Sequence, residues 1–113
     1  MPNEKRKHQR FTIEQFVEFS YAHRTSIKVE GVNLSEGGIL CKTTYPVDPL
    51  NRAFIMLNMS LKGRDYILKL NGVIAHYQKK DNFYLFGVQF TDVCEEDRNI
   101  LREYLGKFKS VSN

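Results

Sequence analysis

The residues best suited to bind a ligand lie in two short polar stretches of the N-terminal half of the chain. The first is the basic stretch Lys5–Arg10, and the second is Asn33–Gly38, which joins two runs with strand character. Arginine side chains match phosphate geometry with two parallel hydrogen bonds and can also stack on bases. Asparagine and serine bond readily to backbone or ligand, and glycine lets a ligand approach the main chain. Placed side by side, the two stretches could receive a compact anionic ligand.

A predicted β-hairpin brings these two stretches together. If Phe11–Tyr21 and Ser26–Asn33 pair antiparallel around a turn near His23-Arg24, counting along the strands places Arg10 opposite Gly37. The basic arm then ends over the polar turn. Without this juxtaposition, the arm is typical of a solvated tail or a nonspecific nucleic-acid contact, and the turn is typical of a plain strand connection. The ligand-binding interpretation therefore depends on the hairpin.

The spacing of residues within these stretches resembles the signature of a known family. Arg6-x-x-x-Arg10 followed by Asn33-x-Ser35-x-x-Gly38 is similar to the two-part signature of PilZ domains, which are bacterial receptors for the second messenger cyclic di-GMP. The resemblance covers nearly the whole chain, from residue 5 to about residue 108. It includes both the order and the separation of the two motifs.

The resemblance implies roles for the basic arm. Arg6 and Arg10 would contact the guanine edges and the phosphates of cyclic di-GMP, since guanine O6 and N7 form a paired acceptor for arginine. Lys5 stands where many family members have another arginine, and that position is associated with binding of one nucleotide or a stacked pair. Lysine keeps the charge but loses the fork and much of the stacking ability. The resemblance therefore leaves the number of bound nucleotides open.

It also implies roles for the turn. Asn33 and Ser35 would hydrogen-bond a guanine base and the adjoining backbone, and Gly38 would hold the turn in shape. Gly37 is a candidate for close approach of the ligand to the main chain. The predicted ligand-binding residues are thus Lys5, Arg6, Arg10, Asn33, Ser35, Gly37 and Gly38.

Length and composition predict one globular domain. The chain has 113 residues, of which 42% are hydrophobic and 27% charged, and its formal charge of +4 suits an anionic partner. It has no apolar run of about 20 residues and no apolar segment after its basic N-terminus, so we expect a cytoplasmic protein without membrane insertion. Cys41 and Cys94 are far apart in sequence, and we expect free, partly buried thiols.

Alternating apolar residues and turn signals predict six strands. They are Phe11–Tyr21, Ser26–Asn33, Ile39–Thr44, Phe54–Leu61, Tyr66–Tyr77 and Phe83–Phe90. The first strand alternates regularly except at Gln15, and Gly72 in the middle of the fifth predicts a bulge or a bend. His76 and Tyr77, at the end of that strand, could offer a stacking surface to a purine, but we interpret both as ordinary strand residues.

The apolar period changes to that of a helix near the C-terminus. A helix is predicted over about 94–108, with Asp92 as a candidate cap and with Arg98 and Arg102 on one face. The fold class is therefore all-β with one terminal helix. PilZ similarity implies a small six-stranded antiparallel β-barrel plus this C-terminal helix, although the periodicity alone would equally suit an OB-fold or another small Greek-key barrel. We expect residues 1–10 to be a flexible basic arm and 11–113 to be a single domain.

No pattern indicates an enzyme. The three histidines are scattered without zinc-ligand spacing, and neither a nucleophile elbow nor a Walker-type loop occurs. We expect a cyclic di-GMP receptor or adaptor without a cofactor, which orders its arm on the ligand and signals to a protein partner in trans. The alternative is a PilZ-like interaction module that does not bind nucleotide. Specific DNA or RNA binding is not expected, because most aromatic residues fall on the apolar faces.

Overall fold

Six β-strands and one α-helix make up the part of the chain that the structure describes. This computed structural model describes residues 10–20, 26–49 and 52–107. The elements are β1 (Phe11–Ser20), β2 (Ile27–Leu34), β3 (Gly38–Thr43), β4 (Arg52–Leu61), β5 (Arg64–Lys79), β6 (Tyr84–Thr91) and α1 (Glu95–Leu105). The predicted strands correspond to these six, with ends that differ by one or two residues. The turn predicted near His23-Arg24 lies outside the described residues.

The strands close into a barrel in the order β1-β2-β3-β6-β5-β4, and every neighbouring pair is antiparallel. Alternate residues of each strand face the interior, which explains the period-two pattern of the sequence. The largest fully buried side chains include Phe86, Leu34, Ile55, Leu57 and Leu101. The predicted six-stranded barrel with one C-terminal helix is confirmed.

The hairpin between β4 and β5 turns within two residues. Lys62 and Gly63 both have positive φ, 51° and 78°, as the tightest β-hairpin turns require. Arg64 and Asp65, which lie between the predicted strands Phe54–Leu61 and Tyr66–Tyr77, already belong to β5 and pair with Leu61 and Ser60.

The irregularity in β5 does not lie at Gly72. The pairing of β5 with β6 shifts register between Ile74 and His76, whereas Gly72 pairs regularly with Phe90 and with Ala53. Gly72 is a glycine for a different reason. A Cβ atom there would lie 2.5 Å from the backbone oxygen of Gln89, so a larger residue does not fit.

Helix α1 packs against the barrel through Leu101, Tyr104 and Leu105, which are all buried. Cys94 is its N-cap and makes no side-chain capping hydrogen bond. The prediction that Asp92 caps the helix is wrong, because Asp92 lies two residues further upstream in the left-handed region, with φ of 55°. The helix also ends at Leu105, three residues before the predicted end, since the chain turns at Gly106. Within the described residues, no helix is long and apolar enough to cross a membrane.

Helix α1 covers the place where β1 and β4 separate. These two strands pair at Glu18–Ser20 with Phe54–Met56. Further along, the side chain of Gln15 donates to the Asn58 carbonyl at 3.1 Å and accepts from the Tyr104 hydroxyl at 2.6 Å. Lys107 donates to the Ser60 carbonyl at 2.7 Å. Gln15, the exception to the alternation of β1, thus joins β1, β4 and the helix.

Candidate functional site

The polar turn between β2 and β3 is held in place by its two ends. Leu34 and Ile39 pair with each other across the two strands, and both side chains are buried in the barrel. Ser35, Glu36 and Gly37 connect the end of β2 to the start of β3 at Gly38. Because both flanking side chains are buried in the core, the two ends of the turn are anchored to the barrel.

Ser35 organises the turn from within. Its hydroxyl oxygen accepts hydrogen bonds from the amides of Gly37 and Gly38 at 3.1 and 3.2 Å. Its own amide donates to the Gly38 carbonyl at 2.9 Å, and only 9% of the residue is exposed. The predicted hydrogen bond from Ser35 to a ligand stays a prediction, but the structure gives this serine a local task that explains its place in the motif.

Gly38 is required by the approach of β6. A Cβ atom at this position would lie 2.4 Å from the backbone oxygen of Val88, which is far inside contact distance. One residue earlier, the Gly37 carbonyl accepts a hydrogen bond from the Phe90 amide at 2.9 Å. The prediction that Gly38 holds the turn thus has a steric basis, and β6 fastens the turn on one side.

Asn33 lies in a cross-strand row on the outer face of the barrel. It pairs with Thr12 on one side and with Leu40 on the other, Leu40 pairs with Gly87, and Gly87 pairs with His76. Thr12 and His76 are exposed. The row between Asn33 and His76 therefore consists of Leu40 and Gly87, and Gly87 has no side chain.

The structure separates the two aromatic candidates at the end of β5. His76 belongs to the outer row of Asn33, whereas Tyr77 is half-buried and packs against the core. The Tyr77 ring stacks on Tyr84, with ring centroids 5.9 Å apart. Only His76 is therefore placed to meet a ligand on the face of Asn33.

The basic arm ends beside the turn, but not in the predicted register. Phe11 pairs with Leu34, so the next residue, Arg10, comes level with Ser35 and not with Gly37. Two shifts of one residue each account for the difference. The first is a bulge between Thr12 and Gln15. The second arises because the hairpin is centred half a residue earlier in the chain than we assumed, which moves every pair by one residue. The predicted pairing of Arg10 with Gly37 is wrong, although the pairing of Phe11 with Leu34 places Arg10 next to the turn. Lys5 and Arg6 lie outside the described residues.

Sequence reasoning missed a link between the turn and α1. The guanidinium of Arg102 donates from Nε and Nη2 to the two carboxylate oxygens of Glu36, each at 3.0 Å. This hydrogen bonding, and then the negative charge of Glu36, raise the pKa of Arg102. The two residues are 66 positions apart, so no local pattern could have connected them. The described residues contain no cluster of potential metal ligands.

Comparison with known proteins agrees with this geometry. The family model of the PilZ domain matches residues 4–107. The chain belongs to the PilZ domain family. PilZ domains are regulatory receptor and adaptor modules, not a catalytic family, and their ligand is cyclic di-GMP. No curated protein sequence matches the chain.

Solved structures share the fold of this PilZ domain at low sequence identity. The inhibitor of motility MotI/DgrA of Bacillus subtilis superposes with a TM-score of 0.79 at 12% identity, over 92% of this chain. This chain spans about half of that protein, 51% of its length. The PilZ domain of YcgR from Escherichia coli, solved with c-di-GMP, gives 0.75 at 16% identity, over 93% of this chain and 92% of that one. The PilZ domain of CeSA from a cellulose-synthesizing bacterium gives 0.59 at 16% identity, over 87% and 95%.

Proposed function

We propose that this PilZ domain binds cyclic di-GMP between its basic arm and the turn Asn33–Gly38, and that binding is reported to a protein partner in trans. The observation that carries the proposal is the placement of Arg10 next to a preformed turn that holds the second family motif. Cyclic di-GMP offers two phosphates and two guanines. An arginine beside a polar turn at the barrel rim suits both groups.

The arm supplies cations. Arg10 comes level with Ser35, and Arg6 precedes it by one motif spacing. In the proposed complex, both guanidinium groups contact a nucleotide lying on the turn. Each can pair with a phosphate or with the O6 and N7 atoms of a guanine. Lys5 adds charge without a fork, and the number of nucleotides bound is left to the molar ratio of the titration below.

The outer face of the barrel supplies the remaining contacts. The Asn33 amide can donate to and accept from a guanine edge, and Gly37 has no Cβ atom to block the approach of the ligand. A guanine hydrogen-bonded to Asn33 would lie over Leu40 and point along the same row towards Gly87 and His76. Ser35 and Gly38 contribute by keeping the turn in shape.

Signalling follows from ordering of the arm. On binding, residues 1–10 become fixed against the turn, and the surface around β1 and the turn changes for a partner protein. The entropy lost by the arm reduces the affinity, so the nucleotide acts as a switch over a limited concentration range.

The test is isothermal titration of cyclic di-GMP into the wild type and into the variant Arg6→Ala/Arg10→Ala, with GTP as a second ligand. We expect saturable binding by the wild type and a loss of about ten- to hundred-fold in affinity for each arginine removed. The molar ratio reports how many nucleotides bind. The matched control is Arg64→Ala/Lys69→Ala, which removes two exposed cations from the part of β5 that pairs with β4.

Equal weakening in the arm variant and the control would mean that net charge alone drives binding. No binding by the folded wild type would disprove the receptor function and leave the alternative, a PilZ-like module that recognises its partner without nucleotide.

A further inference from the structure

We propose that Arg102 of α1 is a positioning residue for the nucleotide site, and that it acts through Glu36. The inference rests on the proposed function, and it makes the C-terminal helix part of the binding site. Arg102 lies outside both family motifs, and Glu36 occupies one of the variable positions between Ser35 and Gly38.

The geometry of the Arg102–Glu36 pair restrains both the position and the orientation of the Glu36 carboxylate. Both carboxylate oxygens of Glu36 receive a hydrogen bond from Arg102, at 3.0 Å each. A planar fork facing a planar carboxylate fixes orientation as well as distance. The Glu36 side chain is only 22% exposed, and a third hydrogen bond, from Arg102 Nη1 to Asn99 at 3.3 Å, steadies the guanidinium.

The helix that carries Arg102 is itself well anchored. Its neighbour Leu101 is fully buried, and Tyr104 bonds to Gln15 of β1 at 2.6 Å. The backbone that carries Arg102 is therefore held against the barrel. The turn is then held from two sides, by β6 through the hydrogen bond from Phe90 to Gly37 and by α1 through Glu36.

Glu36 stands between the two residues on which the proposed site depends. On one side, the Ser35 hydroxyl oxygen accepts hydrogen bonds from the amides of Gly37 and Gly38. On the other side, Gly37 is the candidate for close approach of the ligand. If the Glu36 side chain is released, the peptide planes on both sides can rotate, and the arrangement that receives the nucleotide is no longer prepared before binding.

The test combines a binding cycle with a measurement that needs no ligand. We expect Arg102→Ala and Glu36→Ala each to weaken cyclic di-GMP binding about five-fold, and the double variant to bind no worse than the weaker single variant. Arg102→Lys, which keeps the charge but loses the fork, should recover only part of the affinity. Arg98→Ala is the matched control, because it removes an arginine one helical turn away.

Hydrogen exchange of the Gly37 and Gly38 amides, measured by NMR without nucleotide, tests the positioning itself. Exchange should be faster in Arg102→Ala and Glu36→Ala than in the wild type and in Arg98→Ala. If the wild type binds no cyclic di-GMP, the proposed function fails, and the exchange rates still show whether Arg102 fixes the turn.

Three outcomes would overturn the inference. Unchanged exchange in Arg102→Ala would show that the turn does not depend on the helix. Weakened binding in Arg102→Ala but not in Glu36→Ala would mean that Arg102 meets the ligand directly. Full recovery by Arg102→Lys would mean that charge alone matters.

Discussion

Replacement of Gly38 by alanine should destabilise the barrel even in the absence of any ligand. The added Cβ atom would lie 2.4 Å from the Val88 carbonyl oxygen, whereas ordinary contacts begin at 3.4 Å, so one of the two strands must move by about 1 Å. Val88 pairs with Ile39 on one side and with Ile74 on the other. The carbonyl therefore cannot withdraw without disturbing the pairing of β6.

The expected cost follows from two opposing effects. Overfilling a well-packed site costs about 1–3 kcal/mol. Alanine also restricts the unfolded chain relative to glycine, which returns about 0.4–1 kcal/mol. We expect a net loss of about 1–2 kcal/mol in the free energy of unfolding.

Urea unfolding without nucleotide measures this loss, and Gly87→Ala is the matched control. Gly87 lies on the neighbouring strand, and its added Cβ atom would lie 3.3 Å from the Cβ atom of His76, which requires a shift of only a few tenths of an ångström. We expect the control to change the unfolding free energy by no more than about 0.5 kcal/mol. Unfolding of Gly38→Ala at the urea concentration of the wild type would refute the close approach of β3 and β6.

Two further predictions concern buried groups. Tyr104→Phe removes the hydrogen bond to Gln15 and should lower the unfolding free energy by about 0.5–1.5 kcal/mol, while Tyr45→Phe, at an exposed tyrosine, should not. Burial raises the pKa of the Cys41 thiol above its ordinary value of 9.0, so only the unfolded chain can ionise it readily. The contribution of this thiol to the free energy of unfolding should be constant below about pH 9. Above about pH 9, the free energy of unfolding should fall by up to about 1.4 kcal/mol per pH unit. The decline should be less steep in Cys41→Ala.

Urea midpoints measured at several pH values check both predictions. Equal stability of Tyr104→Phe and the wild type would show that the helix does not depend on its bond to β1. An equally steep alkaline decline in Cys41→Ala would assign the pH dependence to other groups.

Much of the fold could be predicted because its signals are local. A strand with one buried face repeats every two residues, so Phe86 and Val88 could be assigned to the interior from the sequence alone. The free thiols were predicted correctly, although Cys41 is buried and Cys94 exposed. The turn at Asn33–Gly38 was found because its residue types are those that a tight polar turn requires.

The errors arose where a distant contact decides the outcome. The bulge after Thr12 and the position of the hairpin centre each moved the pairing of Arg10 by one residue, from Gly37 to the level of Ser35, and only the pairing of the two strands reveals these shifts. The sequence pattern predicts a bulge or a bend at Gly72, but the close approach of the β6 backbone explains why this residue is glycine. The bond between Glu36 and Arg102 depends on where the helix docks, which is a property of the whole barrel.

The place where β1 and β4 separate, which α1 covers, has a consequence for the synthesis of the protein. Gln15 reaches its partner Tyr104 across 89 positions, and Lys107 reaches Ser60 across 47. During synthesis, β1 emerges long before α1, so its edge near Gln15 stays open while the rest of the barrel forms. An open strand edge invites pairing with another chain. This edge of β1 is therefore covered only once α1 has been made.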